Sequence, residues 1–450
     1  MAADVEEQPF HLQGNFAPLS GELTVNDLQV EGAIPPELTG LYVRNGANPI
    51  TGKSEHWFLG DGMVHGVRLD GGKASWYRNR YVKTPYLDNQ EIQRISDVGV
   101  IDRTVSKANT HVVGHGGQIL ALEEGSFPYV LDDKLETVGY NDYAGKLSTA
   151  FTAHPHICPK TGEMLGFGYG QLPPYLVYHR ISADGKLVQS EEIQVPGPTM
   201  MHDFMITESR AIFMDLPVIF DLQAALAGTM PFKWSDEYGA RIGIMPRTGS
   251  NADVVWFEVE PCYVFHAMNA WDEGDRVVYD VCRMSEVWRE AGEIEGDGKV
   301  TFHRFTFDLS TGNVKEETLD DRPLEFPRVA AGRVGQKNRY GFTIAFDPNN
   351  LGLDGSPGFA GHYKFDLAKG TSELHAMGDG RAPAEPVFVS APGADPDSDE
   401  GWVLSYVYDD GSNKSELVIA DANCFTAPPV ARVKLPQRVP FGFHGSWIAD

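Results

Sequence analysis

Cysteine is scarce. Cys158, Cys262, Cys282 and Cys424 are the four in 450 residues, and no C-x-x-C joins any two of them. That excludes a disulfide-stapled scaffold and offers neither a thiolate metal site nor a dithiol redox pair, so a reducing, intracellular setting is predicted. Positive charge is short as well: 37 Lys and Arg against 63 Asp and Glu leave a net charge of −26. A chain this acidic is repelled by phosphate backbones and by anionic lipid headgroups, so no nucleic-acid partner is expected. No stretch approaches the ~18 consecutive apolar residues of a membrane span. The start, Met1-Ala-Ala-Asp-Val-Glu-Glu-Gln, lacks the basic and apolar regions of a signal peptide, and a cytoplasmic location is expected. Helical periodicity is rare and confined to residues 221–227 and 284–290.

What the chain has in quantity is short apolar or alternating runs separated by turn residues. Residues 40–44, 63–69, 118–122, 210–214, 276–280, 402–407 and 416–420 read as strands. Turn signals such as Asp70-Gly-Gly72, Ala183-Asp-Gly185 and Ser310-Thr-Gly312 recur between runs and predict antiparallel hairpins. Gly and Pro, 48 and 29 residues, are spread along the chain instead of marking a linker. One domain over residues 1–450 is therefore expected, with residues 1–20 as an irregular extension. An all-β chain of this length must remove its sheet edges, and radial repetition of four-stranded blades does so with local connections. The fold class read here is an all-β propeller; similarity between repeats is too weak to count its blades.

Of fourteen histidines, four stand out: His154, His202, His266 and His444 sit in or after apolar stretches, where an unpartnered imidazole suffers desolvation. Their separations are 48, 64 and 178 residues, the last close to three steps of ~59, a plausible blade length. One inner-strand histidine from each of several blades would then meet at the axis around a metal ion. Four separately satisfied core histidines are the competing reading. No H-E-x-x-H or similar local motif is present, so any metal site must be assembled from distant positions.

At these residues the sequence resembles the carotenoid cleavage oxygenase family, whose members cleave carotenoids, apocarotenoids and lignostilbenes. The matching segments are Leu41-Tyr-Val-Arg-Asn-Gly-Ala-Asn-Pro49, Phe58-Leu-Gly-Asp-Gly-Met63, Ala108-Asn-Thr110, Ala121-Leu-Glu-Glu124, Thr152-Ala-His-Pro155, Met201-His-Asp203, Phe265-His-Ala-Met-Asn269, Glu325-Phe-Pro-Arg328, Glu385-Pro-Val-Phe-Val389 and Phe443-His-Gly-Ser-Trp447. They keep their order from about residue 40 to the end. The resemblance implies a seven-bladed propeller with a small helical or loop cap over an axial metal site. It implies one Fe(II) per chain held by His154, His202, His266 and His444, with O2 as co-substrate. It further implies Glu124, Glu325 and Glu385 behind His202, His266 and His444 in that order, and Thr110 crowding an open iron position. Imidazole alone suits Zn, Cu, Fe or Ni equally. Glutamates accepting the distal ring N–H would fix each tautomer and supply negative charge that four neutral ligands lack. Arg44, Asp61 and Asp203, also in these motifs, are adequately explained by turn or fold-closing roles.

The expected activity is oxidative cleavage of one C=C bond of a carotenoid or apocarotenoid by a non-haem iron dioxygenase. A stilbenoid or phenylpropanoid alkene is the second candidate substrate. Relatives that take phenolic substrates carry a lysine where this chain has Glu123, and no tyrosine occurs between Asp88 and Arg103. That departure favours an apolar polyene. Two readings of other classes are a propeller hydrolase with an oxygen-ligated hard cation and a non-catalytic propeller platform. Residues 216–234 carry Val218, Ile219, Phe220, Leu222, Leu226, Met230, Phe232 and Trp234. They form either a surface lip for peripheral membrane contact or an ordinary helix packed on the rim.

Overall fold

The alternating runs become antiparallel strands in the computed structural model, which describes residues 8–96, 99–226, 230–289, 299–347 and 358–450. Among these residues the strands form seven radial sheets, the blades of a propeller, here numbered I to VII in chain order. Blade II holds His111–His115, Gln118–Leu122, Tyr129–Leu131 and Thr137–Tyr140; blade III runs from His156–Ile157 to Leu187–Glu192, and blade IV from Met205–Ile206 to Val255–Glu258. Blade V comprises Tyr263–Glu273, Arg276–Met284, Val300–Asp308 and Val314–Asp320, and blade VI runs from Leu324–Arg328 to Thr371–Ala376.

Blades I and VII close the ring with both ends of the chain. In blade I the C-terminal strand Gly445–Ala449 pairs with Gly40–Ala47 as the innermost strand, and Leu23–Asn26 is outermost. Blade VII takes Val30–Gly32 as its outer edge against Ala431–Lys434, while Val387–Ser390 lies inside against Gly401–Asp409. Closure leaves no long unpaired edge, which is what a large antiparallel chain requires. The approach to the last strand is tight: a Cβ on Gly46 would stand 2.9 Å from the Gly442 Cα, and one on Gly442 would stand 2.7 Å from the Gly46 Cα. Arg44 is buried there and donates from Nη1 to the Pro440 carbonyl at 3.1 Å and from Nε to that of Phe443 at 3.3 Å.

Inner strands are apolar on both faces because blades flank them. In Tyr263–Glu273 the first nine residues are buried. Two register shifts, between Val264 and Ala267 and between Ala267 and Asn269, interrupt its ladder around His266. Bulges of this kind re-aim a side chain. A similar shift separates Glu325 from Arg328 in blade VI.

Two helical turns were expected and one forms. Leu222–Leu226 is a short helix, set between the strands Val218–Phe220 and Phe232–Trp234 of a two-stranded hairpin inserted in blade IV. Residues 284–290 are not helical as far as they are described: Met284 ends a strand, residues 285–289 are irregular, and Glu290 lies outside the described residues. Tertiary packing explains the difference. Trp288 is fully buried in the left-handed region at φ 53°, its carbonyl accepts the Trp234 N–H, and its ring meets Phe265 edge-on at 5.5 Å. A continuing helix would turn that indole out of its pocket.

Candidate metal centre and active site

Each of the four singled-out histidines comes from a different blade. His154 and His202 precede the inner strands of blades III and IV, His266 lies within that of blade V, and His444 immediately precedes the innermost strand of blade I. All four are buried. Their Nε2 atoms converge: His154 to His202 is 3.1 Å, His202 to His266 is 3.2 Å and His266 to His444 is 3.1 Å. One ligand atom from each lies within 4.8 Å of all the others. The 178-residue gap between His266 and His444 is the three-blade step inferred from the sequence, with blades VI and VII between them.

Those two blades supply two of the three glutamates. Glu325 Oε2 lies 2.6 Å from His266 Nδ1, and Glu385 Oε1 lies 3.0 Å from His444 Nδ1. From blade II, Glu124 Oε1 meets His202 Nδ1 in an ion-pair contact, while its Oε2 accepts the Tyr169 hydroxyl at 2.5 Å. The structure thus brings the three glutamates behind the three histidines in the order implied by the resemblance. Glu325 and Glu385 are further held by the backbone N–H of Phe326 at 2.5 Å and of Gly445 at 2.8 Å. Among the described residues His154 has no carboxylate in ion-pair range; its backbone N–H is anchored by Thr152 Oγ1 at 2.8 Å.

The carboxylates assign the protons. With a glutamate oxygen against each Nδ1, the proton sits on that side of the ring, and Nε2 of His202, His266 and His444 carries a lone pair. The Nε2 contacts of 3.1 and 3.2 Å between them then bring acceptor against acceptor, an arrangement favourable only around a cation. The spacing fits one: metal–imidazole bonds of about 2.0–2.1 Å place neighbouring nitrogens about 2.9 Å apart at right angles and about 3.4 Å apart in a tetrahedron. Burial, followed by the neighbouring histidines, holds His154 and His444 well below the usual imidazole pKa, as ligands must be. At His266 burial acts in the same direction but is outweighed by Glu325, and the pKa is raised.

Above the nitrogens lies a cavity of about 880 Å³, large even for a small-molecule site. Its walls are mainly apolar and aromatic, including Trp57, Phe58, Phe265, Phe326, Phe443 and Phe232, and His202, His266, His444 and Thr110 reach it. Thr110 fixes the centre through its backbone, since its carbonyl accepts the His444 N–H at 3.1 Å. Its hydroxyl donates to Asn109 Oδ1 at 3.0 Å. The 216–234 segment combines the two alternatives read from sequence: Phe220, Ala225, Met230 and Phe232 line the cavity, while Leu222 and Leu226 face outward at 60% and 75% exposure.

Sequence reasoning missed several residues. His111 lies with its ring centroid 5.3 Å from that of His444, the planes tilted by 59°; its Nδ1 pairs with the Ala153 carbonyl at 2.9 Å and its Nε2 with Ser446 Oγ at 3.1 Å. Both ring nitrogens are used, so it braces the segments before His154 and after His444. Adjacency to Thr110 was the available signal. Tyr169 ends an ordinary strand and carried none. Asp203 does more than close a turn: it accepts the Phe204 and Ala267 N–H groups at 2.8 and 2.9 Å and so ties the segment bearing His202 to that bearing His266. Glu123, which stands where phenol-binding relatives carry a lysine, is engaged by Arg94 Nη2 at 2.8 Å to both oxygens and by Ser106 Oγ at 2.9 Å.

A donor set of four imidazoles suits a transition-metal ion rather than a hard, oxygen-ligated cation. The chain belongs to the family of carotenoid cleavage oxygenases. The family model described as Retinal pigment epithelial membrane protein matches residues 16–449. A carotenoid cleavage oxygenase of Mycobacterium tuberculosis is 38% identical over 500 aligned positions, covering 99% of each chain. The carotenoid 9,10(9',10')-cleavage dioxygenase 1 of Arabidopsis thaliana is 36% identical, over 98% of this chain and 90% of that one. Among solved structures, the Pseudomonas brassicacearum lignostilbene dioxygenase superposes with a TM-score of 0.90 at 30% identity, covering 99% of both chains. The cobalt-substituted apocarotenoid oxygenase of Synechocystis gives 0.84 at 27% identity, covering 96% of this chain and 97% of that one.

Proposed function

We propose that the protein is an iron-dependent dioxygenase that cleaves one C=C bond of a carotenoid or apocarotenoid. The observation that carries this reading is the convergence of four Nε2 atoms at 3.1–3.2 Å, three of them lone-pair donors fixed by glutamates, at the floor of an apolar cavity. His154, His202, His266 and His444 would hold Fe(II), which when bound supplies O2 activation. In the net reaction the C=C and O–O bonds break and two C=O bonds form, with one oxygen atom on each product. No proton is gained or lost, so the net reaction requires no general acid or base from the cavity wall. Glu124, Glu325 and Glu385 set ligand orientation and add negative charge. Thr110 narrows the space beside His444, and the aromatic walls align an extended alkene and exclude water.

The deciding experiment measures iron content, O2 uptake and product masses with an apocarotenal. One iron per chain and two carbonyl products are expected, and His266→Ala should lose both metal and turnover. An iron-free variant with full activity would overturn the assignment.

A stilbenoid substrate is the second reading, supported by the likeness to the lignostilbene dioxygenase. Against it stands Glu123, held by Arg94. Disappearance of a hydroxystilbene chromophore in preference to an apocarotenal would favour it.

Delivery of a polyene from a membrane surface fits the outward Leu222 and Leu226 together with Ile95 and Val100, which are 51% and 64% exposed. Both segments also contribute to the cavity wall, through Ala225 and Ile95. No described helix is long and apolar enough to cross a membrane.

A further inference from the structure

The cavity wall is unevenly charged. Four carboxylates line it, and every one has a partner: Glu124 the His202 ring and the Tyr169 hydroxyl, Glu325 the His266 ring, Glu123 the guanidinium of Arg94, and Glu286 that of Arg289 at 2.7 Å. Three cations line it too, and only Arg94 has a carboxylate. Among the described residues, neither Arg103 nor Lys107 has an acidic group in ion-pair range. Arg103 donates to the Gly125 carbonyl at 3.0 Å. Lys107 Nζ lies 3.8 Å from the centroid of the Tyr86 ring, which also lines the cavity. A cation–π contact orients an ammonium without consuming its N–H donors.

In a protein with a net charge of −26, two half-buried cations without a carboxylate in ion-pair range, at the wall of a mainly apolar cavity, form a local positive site that a negative group would meet favourably. The backbone around them is already committed: the Lys107 carbonyl accepts the Gly62 N–H, and Glu123 takes Ser106 Oγ as well as Arg94. What this part of the wall offers without a carboxylate partner is the cationic N–H donors of Lys107 and Arg103.

We infer that Lys107 receives an anionic oxygen terminus of the substrate, so that the preferred substrate is a polyene ending in a carboxylate. This inference rests on the cleavage reading above for the word substrate, and on the cavity's charge pattern for the terminus. A carboxylate gains a charge-assisted hydrogen bond from Nζ, an aldehyde a neutral-acceptor bond, and an alcohol competes least well. Lys107 acts here as a specificity residue; it has no part in holding the metal.

The test compares a β-apocarotenoic acid with the matching aldehyde and alcohol. Binding is read by tryptophan quenching in metal-free protein, and kcat and KM are read in iron-loaded protein. The acid should bind about tenfold or more tighter than the alcohol, the scale of a hydrogen bond to a charged group. Lys107→Met should bring the ratio to within about twofold by raising KM for the acid with little change in kcat, and Lys107→Arg should restore most of it. Equal binding of acid and alcohol to the unaltered protein, or an acid preference that survives K107M, would overturn the inference. The comparison on the unaltered protein decides the matter even where K107M fails to fold. An acid preference in binding without cleavage of any polyene by iron-loaded protein would instead defeat the cleavage reading and leave this one standing.

Discussion

Glu325 and His266 meet at 2.6 Å, and the same Glu325 oxygen that faces the imidazole takes the N–H of its own neighbour, Phe326. Phe326 pays for that position with a left-handed backbone, φ 54°, and lays its ring over His266 at 5.1 Å. One bulged residue pair thus fixes the proton, orientation and apolar cover of a ligand. Replacing Glu325 by Gln keeps an acceptor but removes the charge. Iron affinity is expected to fall about 10–100-fold, the usual effect of losing such a partner. Metal titration followed by turnover at saturating iron checks it, and unchanged affinity would remove Glu325 from the site.

Tyr169 reaches the four-histidine cluster through Glu124. Burial and the Glu124 charge raise its pKa well above the usual phenol value, so it remains a donor throughout the working pH range. Tyr169→Phe should free one Glu124 oxygen and lower metal affinity by about tenfold, the loss of one hydrogen bond to a charged group. Histidine-to-iron spectroscopic features should shift as well, whereas a purely structural role would alter thermal stability alone.

The Glu123–Arg94 pair predicts a pH signature in stability. Burial acts to raise the Glu123 pKa, but Arg94 outweighs it and the folded value is lowered. A lowered carboxylate pKa contributes stability above the ordinary glutamate value of about 4.3 and loses it as pH falls through the folded value. Glu123→Gln should therefore lower Tm at pH 7, with the difference from the unaltered protein closing below about pH 4. A gap independent of pH would contradict the pairing.

Leu222 and Leu226 bear on membrane contact separately from chemistry, since neither lines the cavity. Leu222→Ser with Leu226→Ser should reduce co-sedimentation with neutral phosphatidylcholine vesicles, about 2–3 kcal/mol of apolar contact being removed if both side chains enter the acyl boundary. Activity on micellar substrate should be unchanged. Equal vesicle binding by both proteins would exclude this lip.

Much of this architecture was legible in residue order. Period-two runs and glycine-rich turns fixed strands because backbone geometry and hydrophobic alternation are local. All seven runs read as strands lie in strands, among them Gln118–Leu122 at its observed limits. Residues 284–289 were misread for the opposite reason: their helical period was overruled by a pocket for Trp288 built from distant segments.

The sequence by itself determined the all-β repeat, the four histidines as the unusual ones and, through motif resemblance, their glutamates. The spacing contained more than it announced: 59 residues separate His266 from Glu325 and again Glu385 from His444, so each such pair joins adjacent blades. Only the tertiary structure decided that four Nε2 atoms share a centre, that Tyr169 and His111 support it, and that the cavity wall holds unpaired cations. Those relationships join residues up to 335 positions apart, as between His111 and Ser446. Chain order encodes which residues a strand carries, but their meeting depends on ring closure, when the final strand seats beside the first blade and brings His444 to the axis.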